Sequence, residues 1–226
     1  MRKKLLFFLF LAIRLSAYSQ DSTIYRILPV SISVFNNQTT LPVGMKLGIT
    51  ESPVHPGISI GTSFLWQEKS RHLLQQTATF GYYYHRYSQH GIQLYTELQY
   101  RYTRFKWLQP ETGAGLGYLH AISDLEEFKL NSSGEYEKKR NFGRPQIMVS
   151  THVGLFIPLK KKTSSAACNM CRNSATHAVQ NGVFVRYQFW LQAPFVKNYV
   201  PMLPNTALHI GYCTSLKMKR KTGGKK

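Results

Sequence analysis

Acidic residues are scarce in this 226-residue chain: 10 Asp and Glu stand against 29 Lys and Arg, for a formal charge of +19. Charged residues of both signs together reach only 17%. A disordered chain would be charge-rich and poor in aromatics, whereas this one holds 14 Tyr and 13 Phe, so disorder is excluded as its overall state. The chain has 3 Cys, and no second Cys pair exists to complete a zinc site around Cys168 and Cys171. Beyond residue 19 no apolar run approaches the roughly 20 residues of a membrane helix. The length suits one ordinary domain.

The beginning of the chain disposes of the obvious reading of a basic protein. Met1-Arg-Lys-Lys4 is a positive leader, Leu5 to Ile13 is an unbroken apolar run, and Ala17 and Ser19 precede Gln20. This pattern predicts a signal peptide over residues 1–19, too short to span a bilayer and interrupted by Arg14. Its removal takes away four basic and no acidic residues, leaving +15. An exported protein meets no cytoplasmic nucleic acid, so no nucleic-acid partner is expected.

Strict period-two alternation follows, in segments of about ten residues separated by turn-like residues. The segments fall at about 41–50, 57–66, 75–85, 92–103, 113–122, 146–157, 183–191 and 207–216. In the first, Leu41, Val43, Met45, Leu47 and Ile49 oppose Pro42, Gly44, Lys46, Gly48 and Thr50. In the fourth, Ile92, Leu94, Leu98, Tyr100 and Tyr102 oppose Gln93, Glu97, Gln99, Arg101 and Thr103. In the fifth, Gly113, Gly115 and Gly117 line the polar face. Eight such segments predict an all-β fold, an eight-stranded antiparallel up-and-down barrel over residues 41–216. Residues 20–40 form a lead-in that reads equally as edge strand, lumenal plug or ordered approach, with Pro29 inside a weak alternation, and residues 217–226 form a basic tail.

The identity of the outward face separates a soluble barrel from a membrane one. A soluble, lipocalin-like binding barrel needs a charged exterior. The polar faces here carry few charges, chiefly Lys46, Glu97, Arg101 and Arg186, and many glycines. That composition suits a crowded lumen. The opposite faces are apolar, with Trp66, Tyr84, Tyr102 and Tyr118 near segment ends, as in an aromatic girdle. The expectation is a transmembrane barrel in the cell outer membrane, in contact with its lipids, with a narrow, filled lumen.

Several segments also resemble, in order, a family of small outer-membrane β-barrel proteins of Gram-negative bacteria. These are His55-Pro-Gly-Ile-Ser-Ile-Gly61, Phe80-Gly-Tyr-Tyr-Tyr-His-Arg86, Thr96-Glu-Leu-Gln-Tyr-Arg-Tyr102, Gly115-Leu-Gly-Tyr-Leu-His120, Arg186-Tyr-Gln-Phe-Trp190 and Leu203-Pro-Asn-Thr-Ala-Leu-His-Ile-Gly211. The resemblance spans about residues 41–216. It implies an outer-membrane barrel inserted by the barrel-assembly machinery, and it brings no catalytic residues and no cofactor. Such barrels commonly end on an aromatic residue, whereas here Leu216 precedes the basic tail.

Charge is distributed unevenly between the two rims. With the N-terminus on the inner side, the outward connections at about 51–56, 86–91, 123–144 and 195–205 carry +1 in total. The inward segments 20–40, 66–74, 104–111, 160–181 and 217–226 carry +12. A basic rim suits anionic phospholipid headgroups, and solubilising flanks would look the same.

Three groups could carry chemistry. Cys168-Asn-Met-Cys171, with His177 nearby, could close a small disulfide in an oxidising periplasm. Glu97, Arg101, Arg186 and Lys46 are expected to neutralise one another inside the lumen, with Glu97 as the single carboxylate bridging at least one cation. His85-Arg-Tyr-Ser88 with Glu97 is loosely similar to the His, Ser and Glu set of barrels that deacylate lipid A, and marks a lipid-modifying enzyme as the alternative function. Alternation puts His85 and Glu97 on lumenal faces and Ser88 in a turn, which favours a tight outward hairpin at residues 86–91. The expected function is therefore structural or surface-interacting, without catalysis; the sequence specifies no external ligand.

Overall fold

The computed structural model describes residues 26–40, 53–86, 88–125, 128–132, 134–138, 140–159, 181–195 and 201–218. Ten strands occur among them: β1 (Arg26–Gln38), β2 (Pro56–Lys69), β3 (His72–His85), β4 (Gln89–Tyr102), β5 (Gln109–Ser123), β6 (Phe128–Leu130), β7 (Tyr136–Lys138), β8 (Arg144–Pro158), β9 (Gly182–Ala193) and β10 (Leu203–Met218). Eight close into an antiparallel barrel in the order β1-β10-β9-β8-β5-β4-β3-β2. Each barrel strand is bonded to its neighbour in sequence, and β1 closes on β10. The short β6–β7 hairpin forms its own sheet within the β5–β8 connection. No helix occurs among the described residues.

Seven of the eight expected segments coincide with strands. The first does not. The strand that pairs with β2 is β1, at Arg26–Gln38, with Val30 opposite Thr62 and Asn36 opposite Pro56. The barrel thus begins inside the expected lead-in, and the segment 41–50 lies outside the described residues. The alternation of β1 is short: Ser33 is buried between exposed Ile32 and Val34, but the next inward residue is the large, buried Phe35 and the next outward one is Asn36, which breaks the pattern. Ser33 Oγ lies 2.7 Å from Ser59 Oγ and 3.1 Å from His209 Nδ1, joining β1 to β2 and β10. Pro29 sits near the start of the strand, where its carbonyl accepts the Thr62 hydroxyl at 2.9 Å.

Alternation sorts the side chains by polarity in the reverse of a soluble protein. Among the described residues 23 buried side chains are polar or charged and 11 are apolar. The exposed face carries Ile32 and Val34 of β1, Ile58, Ile60 and Phe64 of β2, Phe80 of β3, Leu94 and Leu98 of β4, and Leu116 of β5. It continues through Ile147, Val149, Val153 and Leu155 of β8, Val185 of β9, and Ile210 and Leu216 of β10. Trp66 and Tyr100 flank this belt toward one rim, Tyr82 and Tyr118 toward the other, all exposed.

Large inward side chains fit because a glycine faces them on the neighbouring strand. A Cβ at Gly57 would lie 2.3 Å from the Phe35 ring, and one at Gly211 would lie 2.4 Å from the Phe184 ring. The interior is closed further by Tyr83, Leu119, Met148 and Trp190, all fully buried.

Candidate functional site

The charged residues of the interior come from three successive inward rows, fixed by strand register. Arg101 faces Glu111, Glu111 faces Gly154, Gly154 faces Arg186, and Arg186 faces His209. In the next row Gln99, Gly113, His152 and Gln188 stand in line, and in the third Glu97, Gly115, Ser150 and Trp190.

Glu111 is the hub. Its side chain is fully buried, and its Oε2 accepts from Arg101 Nε at 3.0 Å and from Gln99 Nε2 at 2.6 Å, with Arg101 Nη2 at 2.9 Å. Its other oxygen, Oε1, accepts from Arg186 Nε. Each guanidinium also lies over an aromatic ring, Arg101 at 3.8 Å from the Phe156 centroid and Arg186 at 4.2 Å from that of Phe184. Both cations are therefore held between a shared carboxylate and a π face, which offsets part of the cost of burying them. Gly154 makes the span feasible, since a Cβ there would meet Arg186 Cγ at 2.8 Å.

Glu97 occupies a separate set of contacts. Its Oε1 accepts from Ser150 Oγ at 2.6 Å and from Gln188 Nε2 at 3.1 Å. Its Oε2 lies 2.9 Å from His152 Nδ1. The expectation of one lumenal carboxylate bridging Arg101 or Arg186 is thus corrected. Among the described residues the interior holds two carboxylates, and the one that bridges both arginines is Glu111, expected from the sequence in a rim connection. Extending the inward phase of Gly113, Gly115 and Gly117 back by two residues reaches Glu111, so the signal was present. Ser150, His152 and Gln188 lie on the expected polar faces, and their convergence on Glu97 comes from strand register, which no local pattern contains.

Lys46, Cys168 and Cys171 lie outside the described residues. Cys213 is a half-buried free thiol on β10. No group of three or more metal-ligating side chains occurs among the described residues. A cavity of about 10 Å³, room for about one water molecule, is bordered by Ser33, Ser59, Glu97, His152, Arg186 and His209.

The residues of the enzyme alternative are not brought together. Ser88 lies in the β3–β4 turn, and its backbone N–H donates to the His85 carbonyl at 3.0 Å. The His85 ring stacks on His55 with centroids 3.7 Å apart, and its Nε2 lies 3.1 Å from Thr39 Oγ1. Glu97, deep in the lumen, has both oxygens engaged by β8 and β9.

No protein-family model matches the chain, and no curated protein does. Solved structures do. The outer membrane enzyme PagL matches at 14% identity over 82% of this chain and 98% of its own, with a TM-score of 0.42. Neisserial surface protein A matches at 13% identity over 84% and 96%, with a TM-score of 0.45. The N-terminal β-barrel domain of Pseudomonas aeruginosa OprF matches at 17% identity over 82% and 96%, with a TM-score of 0.40. Each is a distant likeness; the closed, eight-stranded antiparallel barrel of this chain is established by its own strand pairing.

Proposed function

We propose that this protein is an integral barrel of the bacterial outer membrane with a narrow, side-chain-filled lumen, serving a structural or surface-interaction role rather than catalysis. One observation carries the reading: a continuous apolar belt faces outward on all eight barrel strands while polar and ionic groups are buried inside. In water that arrangement exposes far more contiguous apolar surface than soluble monomers tolerate. In a bilayer it is the stable one, because every backbone group of a closed barrel is paired. From Ile92 to Tyr100 a strand rises roughly 27 Å along its own axis, or about 20 Å along a barrel axis tilted by about 40°. That is close to the height of the apolar band of known membrane barrels. The Arg101–Glu111–Arg186 bridge and the buried side chains of Tyr83, Phe156, Phe184 and Trp190, stacked at different depths, support a filled lumen with no continuous aqueous path.

Fractionation of cells tests the location. The protein is expected in the outer-membrane fraction, released by detergent and not by high salt or carbonate. Recovery in the soluble periplasmic fraction would overturn the reading and promote a lipocalin-like barrel. Reconstitution in planar bilayers tests the lumen: steady open-channel conductance would refute a filled interior.

A further inference from the structure

Between β7 and β8 the chain doubles back against the outward face of β5. On that strand Leu116 and Tyr118 are exposed, Leu119 and Ala121 are buried, and so His120 and Ile122 also project outward. His120 Nδ1 lies 2.9 Å from the Tyr118 hydroxyl, and its Nε2 lies 3.0 Å from the Phe142 carbonyl oxygen. Gly143 has a φ of +73°, and a Cβ there would meet His120 Nε2 at 2.7 Å and Ile122 Cγ1 at 2.9 Å. Its backbone therefore rests directly on two outward side chains. Asn141 pins the crossing, its Nδ2 donating to the Ser123 carbonyl at 2.8 Å and its Oδ1 accepting from the Gly143 N–H at 3.0 Å. The Phe142 side chain is left 76% exposed, beyond Tyr118 at the outer end of the belt. Exposed Arg140 and Arg144 stand two residues to either side of it, and Arg144 Nη1 donates to the Phe195 carbonyl at 3.1 Å, with the guanidinium 5.8 Å from the Phe195 ring centroid.

We propose that Arg140-Asn-Phe-Gly-Arg144 is an interfacial anchor for a phosphate-bearing lipid surface. Phe142 enters the upper edge of the acyl-chain layer, and lipid phosphates are taken by the Arg140 guanidinium and by the N–H groups of Arg144 that Phe195 leaves unused. This rests on the membrane-spanning reading above. The chemistry fits the place: an aromatic ring at the apolar boundary, continuous with the belt, between two cations suited to bidentate phosphate contacts. Each such cation near an anionic surface adds to the attraction, and the attraction weakens with salt. The tight crossing at Gly143 gives the anchor its direction, because it holds Phe142 beside the outward column of β5 instead of above the barrel mouth.

The test uses the full chain and its Phe142→Trp variant, refolded into phosphatidylcholine vesicles with or without phosphatidylglycerol. A fraction of the lipid carries bromine on the acyl chain, either near the headgroup or near the methyl end. Wild-type emission, from Trp66 on the outward face together with Trp107 and buried Trp190, serves as the internal reference, Trp66 being the one expected to respond to bromine. The emission added by the new tryptophan is expected to be lost mainly to shallow bromines, and more strongly when phosphatidylglycerol is present. Replacing Arg140 and Arg144 by Gln should abolish that second gain. If wild-type emission is quenched and the added emission is not, the anchor is refuted while the membrane barrel stands. If neither is quenched, the membrane reading itself falls and the anchor with it. Added emission that responds to protein dilution and not to bromine would show a second copy covering Phe142, which also overturns the proposal.

Discussion

Replacing Glu111 by Gln should be the most damaging isosteric change available in the barrel. Its side chain is fully buried and is the shared acceptor for Arg101 and Arg186, with a third donor from Gln99 at 2.6 Å. The substitution keeps the volume but leaves two guanidinium groups without their carboxylate in an interior that has room for about one water molecule beside Arg186. Breaking a buried pair by removing one partner costs about 3–5 kcal/mol, and here one carboxylate serves two cations. Glu97 is acidic too, yet it accepts from neutral Ser150 and Gln188 and touches His152, so Glu97→Gln should cost about 1.5–3 kcal/mol, the range for hydrogen bonds to one charged group. Adding Arg101→Met to Glu111→Gln should recover part of the loss, because one unpaired cation disappears. Urea titrations in detergent micelles, followed by the summed emission of Trp66, Trp107 and buried Trp190, give all three free energies. A larger cost for Glu97→Gln than for Glu111→Gln would refute the assignment of the hub. So would a double variant no more stable than Glu111→Gln alone.

Leu94→Lys on the outward belt should cost about 2–4 kcal/mol in vesicles if the position lies near the bilayer midplane, and Leu94→Ala less; a tolerated lysine would mean the faces are inverted. Gly115→Ala should cost about 1–3 kcal/mol by overpacking, since a Cβ there would lie 2.0 Å from the Thr96 carbonyl oxygen; an unchanged urea midpoint would show that the two strands separate more easily than the register implies. Burial, reinforced by the His85 ring stacked upon it, holds the pKa of His55 below its ordinary 6.5. The unfolded chain then binds more protons than the native one below that pH, so the stability from this site is complete above about pH 6.5 and declines as the solution is acidified. His55→Gln should flatten the acid side of the urea midpoint against pH, and an unaltered profile would remove the pair from the account. Ser88→Ala should leave the acyl pattern of lipid A, read by mass spectrometry, the same as wild type; a change that depends on Ser88 would favour the enzyme alternative.

The barrel was legible in the sequence because the two faces of each strand meet different environments, and period-two alternation records that difference directly. It failed at the first strand. Segment 41–50 alternates cleanly between large apolar and small residues, whereas β1 presents Ser31, Ser33 and Asn37 inward and holds Pro29 near its start. Alternation measures contrast between faces, and β1 loses it where large Phe35 turns inward and polar Asn36 outward, which leaves only Val30 to Val34 in phase. Pairing with β2 and β10 is a long-range property that no local window contains.

The ionic cluster was legible in kind and not in connectivity, and the reason lies in the glycines. Gly113, Gly115 and Gly117 on β5 and Gly154 on β8 are more than a sign of a crowded lumen. A Cβ at Gly113 would meet His152 Cε1 at 2.5 Å, one at Gly115 would meet Glu97 Cγ at 2.7 Å, and one at Gly117 would meet Tyr95 Cβ at 2.3 Å. Each glycine marks where a large side chain from an adjacent strand must lie, so a stripe of glycines on one strand specifies which neighbours carry the bulk. The polar network of Glu97, His152 and Glu111 is then the chemical content of that stripe. The long side chains of β4, β8 and β9 lean across the bare backbone of β5 and Gly154 and so come close enough to pair. Filling the stripe with methyl groups would separate charges that are tolerable inside the barrel only because they touch, which couples backbone packing and electrostatics at this one strand.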